Sequence, residues 1–91
     1  MEQDEWPVTV EGAVERAIGM LKPEDKKLIG GMAKKDLWEL HFGLGRTIRN
    51  SFGLFRGNSA LLDACGELDP DAASGVIIER VWKRLKSSEG R

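Results

Sequence analysis

The chain holds one cysteine, one histidine, three prolines and no tyrosine in 91 residues. A single cysteine, Cys65, excludes an internal disulfide, and a single histidine, His41, excludes a zinc site of the usual Cys/His kind. The two devices that most often staple a small domain are missing, so stability has to come from packing. Net charge is nearly absent as well. Fourteen Lys and Arg stand against fifteen Asp and Glu, leaving −1, and no overall field draws the molecule onto nucleic acid or an anionic membrane. No stretch approaches ~18 consecutive apolar residues, which argues against membrane insertion. The opening run Met1-Glu2-Gln3-Asp4-Glu5 is acidic where a secretory or transit signal is basic, so the expected location is the cytoplasm, where a lone thiol stays reduced. Strand-like alternation is also lacking, and Pro7-Val8-Thr9 is the one segment that reads as extended.

What is present is helical periodicity. Apolar residues make up 41% of the chain, enough for one small core, and residues 1–91 read as a single all-α domain, a compact bundle of about five helices. Thr9 caps a helix over 10–21, where Val10, Ala13, Val14, Ala17, Ile18 and Leu21 fall on one face. Pro23, with Glu24 and Asp25 behind it, opens a second helix over 23–29, and Gly30-Gly31 ends it through the left-handed conformation glycine allows. Leu37, Leu40, Leu44 and Ile48 predict a long third helix over 34–52 despite Gly43 and Gly45. Asn58 caps a short helix over 59–65 that stops at Gly66. Asp69-Pro70 starts the last helix, 70–86, with Ala73, Val76, Ile77, Val81 and Leu85 inward and Trp82 on its flank. The ends, 1–5 and 87–91, are expected to fray.

Charge is unevenly distributed. Residues 1–25 carry seven acids and two bases, residues 26–79 seven of each, and residues 80–91 five bases and one acid. Arg80, Lys83, Arg84 and Lys86 lie near the end of the last helix, where cations favour the negative pole of the dipole. The simplest reading is helix termination, and a basic docking patch for RNA, DNA or an acidic protein is the alternative.

The segment His41-Phe42-Gly43-Leu44-Gly45-Arg46-Thr47-Ile48-Arg49-Asn50 mixes glycines and polar groups into an otherwise apolar helix. At 100° per residue, Leu37, His41, Leu44 and Ile48 share one face, with Glu39, Arg46 and Asn50 roughly opposite. Gly45 and Arg49 follow His41 at i+4 and i+8, which lays an imidazole, a bare backbone step and a guanidinium along one strip. Two readings compete. In one, Gly43 and Gly45 let another helix approach, His41 donates to a backbone carbonyl, and Arg49 reaches a helix C-terminus or an acid and stacks on Trp38. In the other, they floor a groove in which Arg49 and Arg56 read a carboxylate, a phosphate or an acidic partner side chain. A phosphate loop does not fit, because its glycines belong at a strand-to-helix turn.

No catalytic assembly emerges. His41 and Cys65 both fall at inward positions, and Asp69 and Asp71 are explained by capping and the helix dipole. The three tryptophans, Trp6, Trp38 and Trp82, read as core anchors. No cofactor or metal is called for. The expectation is a non-enzymatic domain that binds another protein through the C-terminal half of the third helix and the 52–58 loop. The candidate contacts are His41, Gly45, Arg49, Asn50, Phe55, Arg56 and Asn58, with Phe55 as the exposed anchor. A homodimer is compatible with so small a core, although no heptad seam is visible.

The motif His-Phe-Gly-Leu-Gly over 41–45, Ile48-Arg49-Asn50, Gly53-Leu54, Gly57-Asn58 and the opening Trp6-Pro7-Val8-Thr9 resemble a family of small bacterial helical domains of unknown function. The resemblance spans Trp6 to Leu85 and implies a small cytosolic protein with no assigned reaction. It marks His41, Gly45, Arg49, Asn50 and Asn58 as motif positions. Asp69-Pro70-Asp71-Ala72 departs from the His-Pro-Asp-Asp that such relatives carry there.

Overall fold

The computed structural model describes residues 6–89, and every regular element among them is helical. α1 (Val10–Gly19), α2 (Pro23–Gly30), a 3₁₀ helix (Lys34–His41), α3 (Leu44–Ser51), α4 (Ser59–Cys65) and α5 (Pro70–Glu89) follow in order. Among the described residues no helix is long and apolar enough to cross a membrane.

The start and stop signals act largely as the sequence implies. Thr9 accepts a hydrogen bond from the Gly12 amide at 3.0 Å, and Asn58 accepts one from Leu61 at 3.2 Å, which satisfies amides that the first helical turn leaves open. Gly66 ends α4 at φ 75°, in the left-handed region that costs glycine nothing. The end of α2 differs from expectation. Gly31 stays right-handed at φ −93°, and its amide bonds back to Lys27 and Leu28, so the helix tightens to its end without reversing hand.

α5 is the axis of the molecule. Its 20 residues span ~30 Å at 1.5 Å per residue, and it packs against each of the other five helices. Ala73, Ile77, Ile78, Val81, Trp82 and Leu85 are buried along it. Trp82, expected on the flank, lies in the core because its indole Nε1 donates to the Met32 carbonyl at 2.8 Å. That bond ties the link between α2 and the 3₁₀ helix to the axis. Across the axis lie Ala13, Val14 and Ala17 of α1, Ile29 of α2, Ile48 and Phe52 of the α3 region, and Leu61 of α4. α5 runs three residues beyond the predicted Lys86. The predicted frayed positions 1–5 and 90–91 lie outside the described residues.

The long third helix is corrected to two pieces. Gly43, at φ −107° and ψ −81°, leaves the helical region and separates the 3₁₀ helix from α3, so the described residues form six helices where about five were expected. Two glycines within three residues make this the weakest helix-forming point of the segment. The tighter winding upstream also changes which faces turn inward, since 3₁₀ side chains recur every three residues. Leu37 is buried and Leu40 half-buried, while Trp38 turns outward, 61% exposed. Trp38 is therefore no core anchor, contrary to expectation.

Candidate functional site

The two halves of the broken helix are rejoined by Arg49. Its side chain is only 13% exposed and reaches three residues on two other elements at once. Nε lies 3.2 Å from Asp71 Oδ1, one terminal nitrogen donates to Ser74 Oγ at 3.1 Å, and the other donates to the His41 carbonyl at 3.4 Å. In an unbroken α-helix that carbonyl would accept from the Gly45 amide. The guanidinium thus takes up an acceptor that the break sets free, and it also fixes α3 to the first turns of α5. Ser74 is fully buried and donates onward to the Asp71 carbonyl at 2.8 Å, so both of its hydrogen-bonding functions are used.

The glycines make room for this arrangement. A side chain at Gly45 would meet Arg49, Ile78 of α5 and His41 Nδ1, and one at Gly75 would meet His41 Cε1 and Nε2. The imidazole sits between two bare backbone steps, one on α3 and one on α5. The groove floor imagined at Gly45 is filled from within by His41 and Arg49. Gly43 has open space around it, so its contribution is to the chain path.

Beside this clamp lies an open concavity of about 390 Å³ lined by His41, Phe42, Arg49 and Asp71. It brings an imidazole, a guanidinium and a carboxylate to one opening, but the latter two neutralise each other. The His41 ring makes no hydrogen bond or ion pair among the described residues, which corrects the expected bond from it to a backbone carbonyl: the ring is held by packing between Gly45 and Gly75. Cys65 is half-buried. Burial, then the neighbouring Glu67 carboxylate, pushes its thiol up from the ordinary value, with Arg80 opposing. A raised thiol is the reverse of an activated nucleophile. Its alkylation by iodoacetamide at pH 8 is expected to be several-fold slower in the native protein than after unfolding in guanidinium, read by intact mass. No group of three or more metal-ligating side chains gathers among the described residues.

The 52–58 loop is pinned as firmly as the clamp. Gly53 adopts φ 72° with the Trp6 ring packed directly on its α-carbon. Asn58, buried, donates to the Pro7 carbonyl at 3.0 Å and to the Phe52 carbonyl at 2.7 Å while capping α4. Trp6 therefore anchors the N-terminal segment on this loop.

The predicted contact residues accordingly separate into two groups. Gly45, Arg49 and Asn58 face inward and are engaged within the chain, and His41 is half-buried between glycines. Asn50, Phe55 and Arg56 are exposed, and Phe55 is 62% exposed, as an anchor requires. Sequence reasoning missed the partners Ser74 and Gly75, whose only signal is a run of small residues on the inward side of α5. It also missed the exposure of Phe42, at 78%, and of Trp38. A further apolar depression of about 280 Å³, lined by Met20, Leu28, Leu40, Leu44 and Thr47 among others, borders the outer side of α3. Of the basic residues near the end of α5, Arg80 pairs with Glu11 at 3.6 Å, Lys83 with Glu79 at 3.7 Å, and Lys86 lies over the Trp82 ring.

Arg49→Met keeps the length of the side chain and removes its donors. The lost charge-assisted bonds predict a destabilisation of about 2 kcal/mol, or a fall in midpoint of roughly 8–16 °C for a chain of this size, measurable by thermal circular dichroism. Arg49→Lys should recover only part of the loss, because a single ammonium cannot reach three acceptors in a planar fork.

The fold and the clamp define a small all-helical domain whose most distinctive residues tie two helices to a central third. The chain belongs to the family described as Domain of unknown function (DUF6794), whose model matches residues 6–85. No curated protein and no solved structure matches the chain.

Proposed function

We propose that this protein is a non-enzymatic binding domain that engages another protein through the outer face of α3 and the turns at its two ends. The observation that carries this reading is the exposure of Trp38, Phe42 and Phe55, three of the six aromatic residues, each more than 60% exposed. Phe42 precedes α3 and Phe55 follows it. Between them the outward residues Arg46, Thr47 and Asn50 form a polar strip ~6 Å long. Aromatic and arginine side chains dominate the energetics of protein interfaces, above all when little order is lost on binding. Here the turns that present them are already held by Arg49, Gly53 and Asn58. The bordering apolar depression extends the same face.

The alternative, nucleic-acid association through Arg80, Lys83, Arg84 and Lys86, has less support. The carboxylate of Glu11 stands among Arg80, Lys83 and Arg84, and the chain as a whole carries −1, both of which oppose a phosphate backbone.

The test is photo-crosslinking in cells, with benzoylphenylalanine replacing Phe42 or Phe55, and replacing the exposed Glu15 of α1 as a control. The reading expects one protein, a second copy of this chain included, to be captured from both α3 positions and not from the control. Capture of unrelated proteins from the two positions, or of nucleic acid alone, would overturn it.

A further inference from the structure

A second surface, sharing no residue with the α3 face, lies where the start of α1 meets the C-terminal half of α5. An open groove of about 320 Å³ runs between them. Its floor is apolar, from Val10 and Val14, and its walls carry Arg80, Lys83 and Arg84 against a single acid, Glu11. The excess of two positive charges is confined to one cleft of a molecule whose total charge is −1, so the field there is local and its sign opposes that of the chain as a whole.

We propose that this groove docks an acidic protein segment in which an apolar side chain lies between carboxylates. Each half of that description answers a feature of the cleft. The apolar side chain would sit over Val10, which is only half-buried above the fully buried Val14. The carboxylates would face Arg80, Lys83 and Arg84, two of which can bind them bidentately. The ion pairs these cations make within the chain are exposed. Arg80 with Glu11 is 45% and 70% exposed, and Lys83 with Glu79 is 60% and 37% exposed. Such pairs hold their partners weakly, so an incoming carboxylate can displace them. Arg84 makes no ion pair among the described residues.

The same features disfavour a phosphate backbone. Nucleic acid presents one charge after another along its length and gains most from uninterrupted cations. In this groove Glu11 interrupts the cationic wall, and the valine floor offers nothing to a sugar-phosphate chain. Separate carboxylates tolerate both, because they can be spaced around Glu11.

The experiment is a titration of ¹⁵N-labelled protein, followed by heteronuclear NMR, with a blocked pentapeptide of leucine between two pairs of glutamates. The controls are the same peptide with glutamines for glutamates and a twenty-nucleotide single-stranded DNA of mixed sequence. The glutamate peptide is expected to shift the amides of Val10, Glu11, Val14 and residues 80–87 in a saturable manner, and the glutamine peptide to bind at least tenfold more weakly. Arg84→Glu should weaken binding at least fivefold. Glu11→Gln should strengthen it two- to fivefold, by removing the competing carboxylate and freeing Arg80. The gain in that second variant separates a site from a disturbed fold, since damage to the helix pair would weaken binding in both. Equal binding of the two peptides, shifts scattered away from the groove, or weaker binding after Glu11→Gln would overturn the proposal. Tighter binding of the DNA than of the peptide at the same amides would overturn it in favour of nucleic acid.

Discussion

Asn58→Asp is expected to destabilise the protein more than Asn58→Ala, although aspartate is as good a helix cap as asparagine. The side chain of Asn58 does two things. Its oxygen caps α4, and its nitrogen donates to the Pro7 and Phe52 carbonyls. Alanine loses the cap, about 1 kcal/mol, and leaves two acceptors short of a donor in a site where the native side chain is 5% exposed. The total is expected near 2–3 kcal/mol. Aspartate keeps the cap but turns a second oxygen towards two carbonyl oxygens, with no proton between them. A buried charge facing acceptors should raise the loss to about 3–5 kcal/mol. The dependence on pH provides an independent check. The introduced carboxyl can donate to one of those carbonyls only when protonated, so folding favours its protonated form. The native state then binds more protons than the unfolded state, and stability relative to wild type falls as pH rises through the carboxyl range. Urea titrations at pH 4 and pH 7 should show the gap between variant and wild type narrowing at the lower pH. A gap that widened on acidification would mean that the side-chain nitrogen does not face those carbonyls.

Gly53→Ala is the second large effect. At φ 72° an added Cβ meets left-handed strain of roughly 1–2 kcal/mol, and in this position it would also overlap Cδ2, Cε2 and Cζ2 of Trp6. The indole has to leave, and with it goes the contact that seats the N-terminal segment on the loop, for a combined loss expected near 3 kcal/mol. Gly57 and Gly66 share the positive φ, at 97° and 75°, but have open space around them. Alanine there should cost only the backbone term, about 1–2 kcal/mol. Chemical denaturation of the three variants separates strain from collision. Equal losses at all three would remove Trp6 from the account of the loop.

These two positions illustrate what local pattern conveys and what it does not. Asn58 as a cap, Thr9 as a cap, the bounds of α4 and Gly66 as its stop all follow from interactions within three or four residues, and the structure has them where the sequence put them. The second function of Asn58, its bond to Pro7, spans 51 residues, and nothing near either residue announces it. The same holds at Arg49. An acid or a helix C-terminus as its partner was one of the two readings the sequence offered. That the acid would be Asp71, the terminus His41 and the third partner Ser74 depends on how α5 lies across α3. The break at Gly43 was missed because leucine spacing alone extends a helix through any residue. An Arg49 available to bond the freed carbonyl tips the balance, and this is a tertiary effect overriding periodicity. Trp38 followed from that error, since its face was assigned on α-helical winding.

The clamp also changes what the motif means. Gly45 and Arg49 resemble a recognition strip when read along one helix, yet in three dimensions they occupy each other. Their effect on any partner is indirect, through the rigidity of the turns that carry Phe42 and Phe55. In the proposed interface, the residues that hold the face are thus distinct from those that form it. The direct test is partner capture by Phe55→Ser and Arg49→Met, each immobilised and assayed at least 15 °C below its own unfolding midpoint, with the bound fraction compared with wild type. Phe55→Ser, with an unchanged midpoint, is expected to lose most of its capture, and Arg49→Met, with a lowered midpoint, to keep most of it. Capture retained by Phe55→Ser but abolished in folded Arg49→Met would contradict this separation and place the guanidinium itself against the partner.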